Sequence, residues 1–422
     1  MGVARRRALV AVVTGLCLAG CGSSGPRPEA APRACKLDIG GTLAAELPDG
    51  SLVVGAASHR GPKLVVRLRR VTRGCRVVRS FGTHGTATVE VGANDVGEID
   101  VLRAAPDGRL VLAGGNGKAE LVGRLLGDGR LDRSFGDGGW ARVASHERSQ
   151  RGMPPPAPTA TSIAFAGSGA ILVGGDDEAP HCCVRDFVSE VSEAGVPVRT
   201  FGNEGSVFLP TFGGSYTTEL GVEPDGSSYA LGEYEQSGCG DPSIVRIRRD
   251  GSLDTRFDRS IARTVERVSG RKLRFTPTLV PGESGAFALV GGLDKTCVPA
   301  FPPPRVASGG IAVEVGPSGG VERETRFPAP GYAFDNPAAI RLVSGRVVAA
   351  ALVYRANGKV KSALVRLFRP DGMTEGVRAV ALTSLPRSQS PSLALVPAAG
   401  GDAWLVVGLA TQTDLVPVRV GG

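Results

Sequence analysis

The densest set of reactive side chains in this sequence is Asp176, Asp177, Glu178, His181, Cys182 and Cys183. Carboxylate, imidazole and thiolate in one segment could together ligate a metal ion. Cysteine and histidine metal sites carry regular intervals, such as paired Cys-x-x-Cys, and none occurs here. No metal is therefore expected, and the cysteines are assigned to disulfides. His59, His84 and His146 stand alone in predicted loops and read as polar surface. No Ser/His/Asp set and no phosphate-binding glycine loop is recognisable, and no cofactor is expected.

What positions these groups is a repeat. A hairpin signal recurs as PDGSLVVGA at Pro48, PDGRLVLAGG at Pro106, GSGAILVGG at Gly167, PDGSSYALG at Pro224, ESGAFALVGG at Glu283, VSGRVVAAA at Val343 and AGGDAWLVVG at Ala399. The turn glycines are Gly50, Gly108, Gly169, Gly226, Gly285, Gly345 and Gly401, separated by 58, 61, 57, 59, 60 and 56 residues. Within each unit come an apolar strand, a tight turn, a second strand, a loop and an alternating strand such as LVVRLRR. A second turn then leads into RVVRSFG, LDRSFG, PVRTFG, LDTRFD or ETRFP. Phe81, Phe135, Phe201, Phe257 and Phe327 are expected to wedge each unit against its neighbour, and the flanking glycines let the chain bend sharply. The sixth unit has no such phenylalanine. Ser260 to Val268, where Ile261, Val265 and Val268 fall at helical spacing, is read as strand from its place in the repeat.

The composition agrees with short strands and turns: 61 glycines and 30 prolines, with aromatics only 5%. Four antiparallel strands per unit, repeated radially, describe an all-β, seven-bladed β-propeller whose ring protects its sheet edges. The last unit stops after its third strand, so Cys35 to Ile39 is expected to supply the fourth and close the ring. The period is too long for WD or kelch repeats. The pattern resembles the delta-sixty repeat family of bacterial propellers over residues 35–422. That resemblance implies the fold and almost nothing about activity, because the family hosts no single chemistry.

In such a ring the loops from second to third strand and from one blade to the next share a face, the expected binding face. The enlarged loops DDEAPHCCVRD, EYEQSGCGDPS and DKTCVPAFPPPRVASGG, with TFGGSYTT and PAPGYAFD, would gather Tyr216, Tyr234, Phe301 and Tyr332 beside Asp176, Asp177, Glu178 and His181 there. Aromatic faces next to carboxylates suit a sugar or peptide. Channel-facing strands read mainly as Val, Leu and Ala, with Arg103 and Arg341 as exceptions. Cys182, Cys183, Cys239 and Cys297 fall in loops of three consecutive blades and are expected to form two bridges. Cys35 is expected to pair with Cys75.

At the start of the chain, Arg5, Arg6 and Arg7 precede the apolar run ALVAVVTGLCLAG, too short to span a bilayer as a mature helix. Leu18, Ala19, Gly20 and Cys21 resemble the lipobox of bacterial lipoproteins. The resemblance implies that Cys21 takes a diacylglyceryl thioether and becomes the mature N-terminus; an ordinary secretory signal is the alternative. Residues 1–20 then form a signal peptide, 21–34 a small, Pro-rich tether and 35–422 the propeller. Residues 1–20 carry three arginines and no acid, so their removal takes the formal charge from +8 to +5. No long basic run remains, and nucleic acid is not an expected partner. The expectation is a monomer held on the extracytoplasmic face of the cell membrane, a non-enzymatic binding or scaffold propeller for an envelope protein, peptide or glycan. The alternative is a hydrolase, lyase or quinone-dependent dehydrogenase working at the channel mouth. Acidic and basic groups converging there would favour the enzyme, and a dry, Val-lined channel would favour binding.

Overall fold

All seven repeat glycines, Gly50 through Gly401, adopt φ between 75° and 87°. This left-handed conformation costs a side chain with a Cβ about 1–2 kcal/mol, so glycine there fixes seven tight hairpins. The computed structural model describes residues 35–420, except 42, 92–96, 116–118, 145–156, 180–182, 210–215, 234–241, 270–273, 283–284, 295–306, 328–336, 355–359, 372, 382–391, 399–400 and 409–411.

The strands form seven antiparallel sheets in chain order. Blade one is Leu43–Glu46, Leu52–Arg60, Lys63–Val71 and Thr86–Val91, and blade two Glu98–Ala104, Leu110–Gly115, Ala119–Leu125 and Trp140–Ala144. Blade three is Ala157–Phe165, Ile171–Ala179, Cys183–Val191 and Ser206–Phe208. Blade four has three strands, Tyr216–Val222, Ser228–Glu233 and Pro242–Ile247. Blade five is Arg274–Pro281, Phe287–Asp294, Ala307–Val315 and Val321–Phe327, and blade six Ala338–Arg341, Val347–Tyr354, Val360–Phe368 and Thr374–Ala381. Blade seven is Ser392–Ala398, Asp402–Gly408 and Thr413–Val418, completed by Cys35–Leu37. In that closing pair Cys35 lies opposite Leu415, Lys36 opposite Asp414 and Leu37 opposite Thr413. The Thr413 hydroxyl donates to the Ile39 carbonyl at 2.7 Å. The innermost strands touch in order around the ring, and that of blade seven meets that of blade one. The fold is thus a seven-bladed β-propeller, as the repeat predicts.

Blade four departs from the strand reading. In place of a fourth strand, Thr255–Ser269 forms an α-helix, α1. Asp254 caps it, its Oδ1 accepting the backbone N–H groups of Arg256 and Phe257 at 3.2 and 3.3 Å. Phe257, Ile261, Val265 and Val268 form one apolar stripe, buried among Tyr229 and Leu231 of blade four and Phe287 and Ile311 of blade five. The helical spacing that the sequence shows here outweighs the repeat's preference for a strand, because the helix buries more apolar surface in the groove between two blades.

The phenylalanines are inter-blade wedges. Phe81 packs in a cluster spanning blades one and two, Phe135 in one spanning two and three, Phe201 three and four, Phe257 four and five, and Phe327 five and six. Beside them the N–H groups of Gly82, Gly136 and Gly202 donate to Asp128, Ala194 and Asp250 of the following blade, at 2.7, 2.8 and 2.9 Å. Gly129, Gly195 and Gly251 occupy the tight turns of those following blades. A Cβ at each would strike Phe81, Gly136 or Gly202 of the blade before it. The corresponding turn of blade one places Cys75 at that position, with φ 64°. The preceding blade there is blade seven, whose outer strand brings no wedge phenylalanine. Its Cys35 bonds to Cys75 instead, with 5.8 Å between the Cα atoms. The disulfide stands where other blade pairs carry the phenylalanine and its glycine contact.

Candidate functional site

The central channel is built unevenly. In blades two, three and four the innermost strand slips register against the second strand, between Ile99 and Val101, Ala160 and Ser162, and Thr217 and Glu219. Each bulged residue, Asp100, Thr161 or Thr218, stands eight positions before its blade's turn glycine. The innermost strands of blades five, six and seven pair with no register shift among the described residues. A bulge twists the strand and re-aims neighbouring side chains, so one arc of the channel differs from the other.

Along the channel lies a cavity of about 570 Å³, reaching Leu231, Gly232 and Pro242 of blade four. Its polar groups are Arg103, Glu219, Thr278 and Glu46. The stretch from blades six and seven is apolar, with Ala338, Ile340, Leu393 and Leu395. Glu219 is held from both sides: the Thr278 hydroxyl donates to Oε1 and the Leu279 backbone N–H donates to Oε2. Burial pushes its carboxyl up to about 7, against the lowering effect of those two donors and of Arg103. Arg103 opens onto the channel's own space but is surrounded by protein, and this burial pulls its guanidinium below the ordinary value while Glu219 raises it. It makes no hydrogen bond to any described residue. Farther along the same strand, burial and the neighbouring Glu98 raise Asp100 to about 6. Arg341, the other expected exception, is taken up elsewhere: its guanidinium donates to Glu314 at 2.9 Å and to the Pro281 carbonyl at 3.2 Å.

The expected loop cluster fares differently. Asp176, Asp177 and Glu178 are not loop residues, because the second strand of blade three runs to Ala179 and the third begins at Cys183. Asp176 is opposite Asp186, Asp177 opposite Arg185, Glu178 opposite Val184 and Ala179 opposite Cys183. Pairing the backbone groups carries the hairpin out to Ala179 and Cys183, which the polar composition does not announce. Asp176 and Asp186 are both buried. Tyr216 likewise begins a strand, opposite Glu233, and does not belong to the inter-blade loop. His181, Cys182, Tyr234, Cys239, Cys297, Phe301 and Tyr332 lie outside the described residues. Among the described residues no three His, Cys, Asp or Glu side chains gather in a metal-holding group. The channel pair of Arg103 and Glu219 was half visible in sequence. Arg103 stands out in an apolar strand, whereas Glu219 in TTELGVEP carries no local mark of where it points.

Residues 223–257 match the family described as "Domain of unknown function (DUF5122) beta-propeller". No curated protein matches the chain. Among solved structures it is similar to the polysaccharide lyase Uly1, with 11% identity over 87% of this chain and 90% of that one and a TM-score of 0.41. It is also similar to a calcium-binding protein, regucalcin, from Agrobacterium tumefaciens strain C58, with 13% identity over 76% and 90% and a TM-score of 0.38. A glucose dehydrogenase shares 14% identity over 92% of this chain and all of its own, with a TM-score of 0.42. These likenesses carry no argument about ligand or reaction.

Proposed function

We propose that this is a lipid-anchored, extracytoplasmic propeller of the delta-sixty type that binds a small molecule in its central channel without transforming it. The carrying observation is the cavity itself: about 570 Å³, walled mainly by small apolar residues, with a few fixed polar groups. Ligand sites have this size and make-up. The anchor rests on Leu18 to Cys21 and the tether that follows. No helix among the described residues is long and apolar enough to cross a bilayer. A Cys21→Ser variant is expected to lose its lipid-modified N-terminal peptide, read by mass spectrometry, and to leave the membrane fraction. Retention of both lipid and membrane association would overturn the anchor.

One observation favours the alternative, an acid–base enzyme. An acidic and a basic group do converge in the channel, and Glu219 titrates near neutrality, where a general acid or base works best. Both Glu219 oxygens are already engaged by protein donors, which suits a positioned acceptor better than a proton carrier. No activated nucleophile stands beside it among the described residues.

A further inference from the structure

Resting on that channel reading, we propose that the ligand is a small amphiphilic anion, its carboxylate seated on Arg103 and its hydrocarbon body lying against the apolar innermost strands of blades six and seven. The guanidinium presents five N–H donors in a planar fork suited to a carboxylate. None of them meets a described protein acceptor, although the group lines a ligand-sized cavity. Glu219 acts on it only through the field, because both its oxygens are tied to Thr278 and Leu279. The cavity wall from blades six and seven carries Ala338, Ile340, Leu393 and Leu395, which offer dispersion contact and no hydrogen bonds. One end of the cavity therefore demands an acceptor with negative charge, and the other an apolar chain.

The neighbouring acids set a pH dependence. Glu219 on blade four and Glu46 on blade one line the cavity with Arg103, and Asp100 and Glu98 lie farther along Arg103's own strand. With Glu219 raised to about 7 and Asp100 to about 6, mild acid neutralises both and lowers the negative charge near Arg103. Above neutrality both ionise and repel an incoming anion.

Calorimetric titration of the whole protein with octanoate tests this, with octylamine and octanol as the cationic and neutral probes. Octanoate is expected to bind at pH 5.5 and to weaken at least about five-fold at pH 8, or about 1 kcal/mol. Arg103→Gln should weaken octanoate at least about ten-fold and leave octanol unchanged, and Glu219→Gln should bind octanoate with a flatter pH profile. Ala394→Trp, which places an indole in the cavity, should abolish binding. Equal octanoate affinity in Arg103→Gln, or a preference for octylamine, would overturn the anion assignment while Ala394→Trp sensitivity keeps the channel as the site. No heat from any of the three probes would overturn the channel reading as well.

Discussion

Glu120 is buried in the third strand of blade two, where among the described residues neither carboxyl oxygen has a close hydrogen bond and the Ser189 hydroxyl is its one polar neighbour with an effect on its charge. Burial pushes it up to about 8, partly offset by the Ser189 hydroxyl of blade three, which is itself engaged with Ser206 at 2.9 Å. Below its ordinary 4.5 the group is protonated in both folded and unfolded chains and contributes no pH dependence. As pH rises the unfolded chain ionises first, so stability falls until about pH 8, where the folded carboxyl also ionises. Glu120→Met, of similar volume, is expected to raise stability by about 1–3 kcal/mol at pH 8 and by less at pH 5. Urea denaturation at the two pH values measures this. A variant equally stable with wild type at both would show that the carboxyl is satisfied.

At the scale of the element, α1 replaces a strand because its local chemistry is consistent with a helix. Asp254 caps the N-terminus, Asp258 lies in the first turn and Arg267 in the last, each complementing the helix dipole. The Thr264 hydroxyl then pins it to the Gly319 carbonyl of blade five at 2.8 Å. Asp254→Ala should cost about 0.5–2 kcal/mol, seen as a lower melting temperature. Asp254 also pairs with Arg246 and Arg248, at 3.7 and 3.2 Å. Asp254→Asn keeps a capping oxygen without the charge, so recovery of most of the loss in that variant assigns it to the cap. Equal losses in both variants would assign it to the ion pairs.

Across the whole molecule, stability depends on how the ring is shut. The closing strand is only three residues long, and the disulfide ties it to blade one across 40 residues of sequence. Linking a loop of that length is worth about 4 kcal/mol in chain entropy. Cys75 also holds a backbone conformation that glycine takes in the equivalent turns. Cys75→Ser should therefore lose the link and keep the strain, whereas Cys75→Gly should lose the link and relieve about 1 kcal/mol of strain. Thermal melts of both variants without reductant are expected to rank wild type above Cys75→Gly above Cys75→Ser. Identical melts for all three would mean that the strand alone closes the ring.

The sequence by itself determined the blade count, the closing strand and the five wedge phenylalanines, and it set Cys35 and Cys75 on neighbouring blades. These are repeated or local signals: a glycine at each hairpin, a phenylalanine ahead of the turn in five of the seven units, and a short strand left over ahead of the first unit. Only the tertiary structure decided the channel. Arg103 and Glu219 come from blades two and four, on strands whose bulges turn their side chains into the channel. A bulge adds one residue to one strand and changes what every neighbour faces, yet neither TTELGVEP nor EIDVLRAA shows one. The same holds for α1 and for the long hairpin that takes Asp176 out of a loop. In each, the alternative buries more apolar surface or pairs more backbone than the repeat pattern predicts, and that balance is struck between segments far apart in the chain.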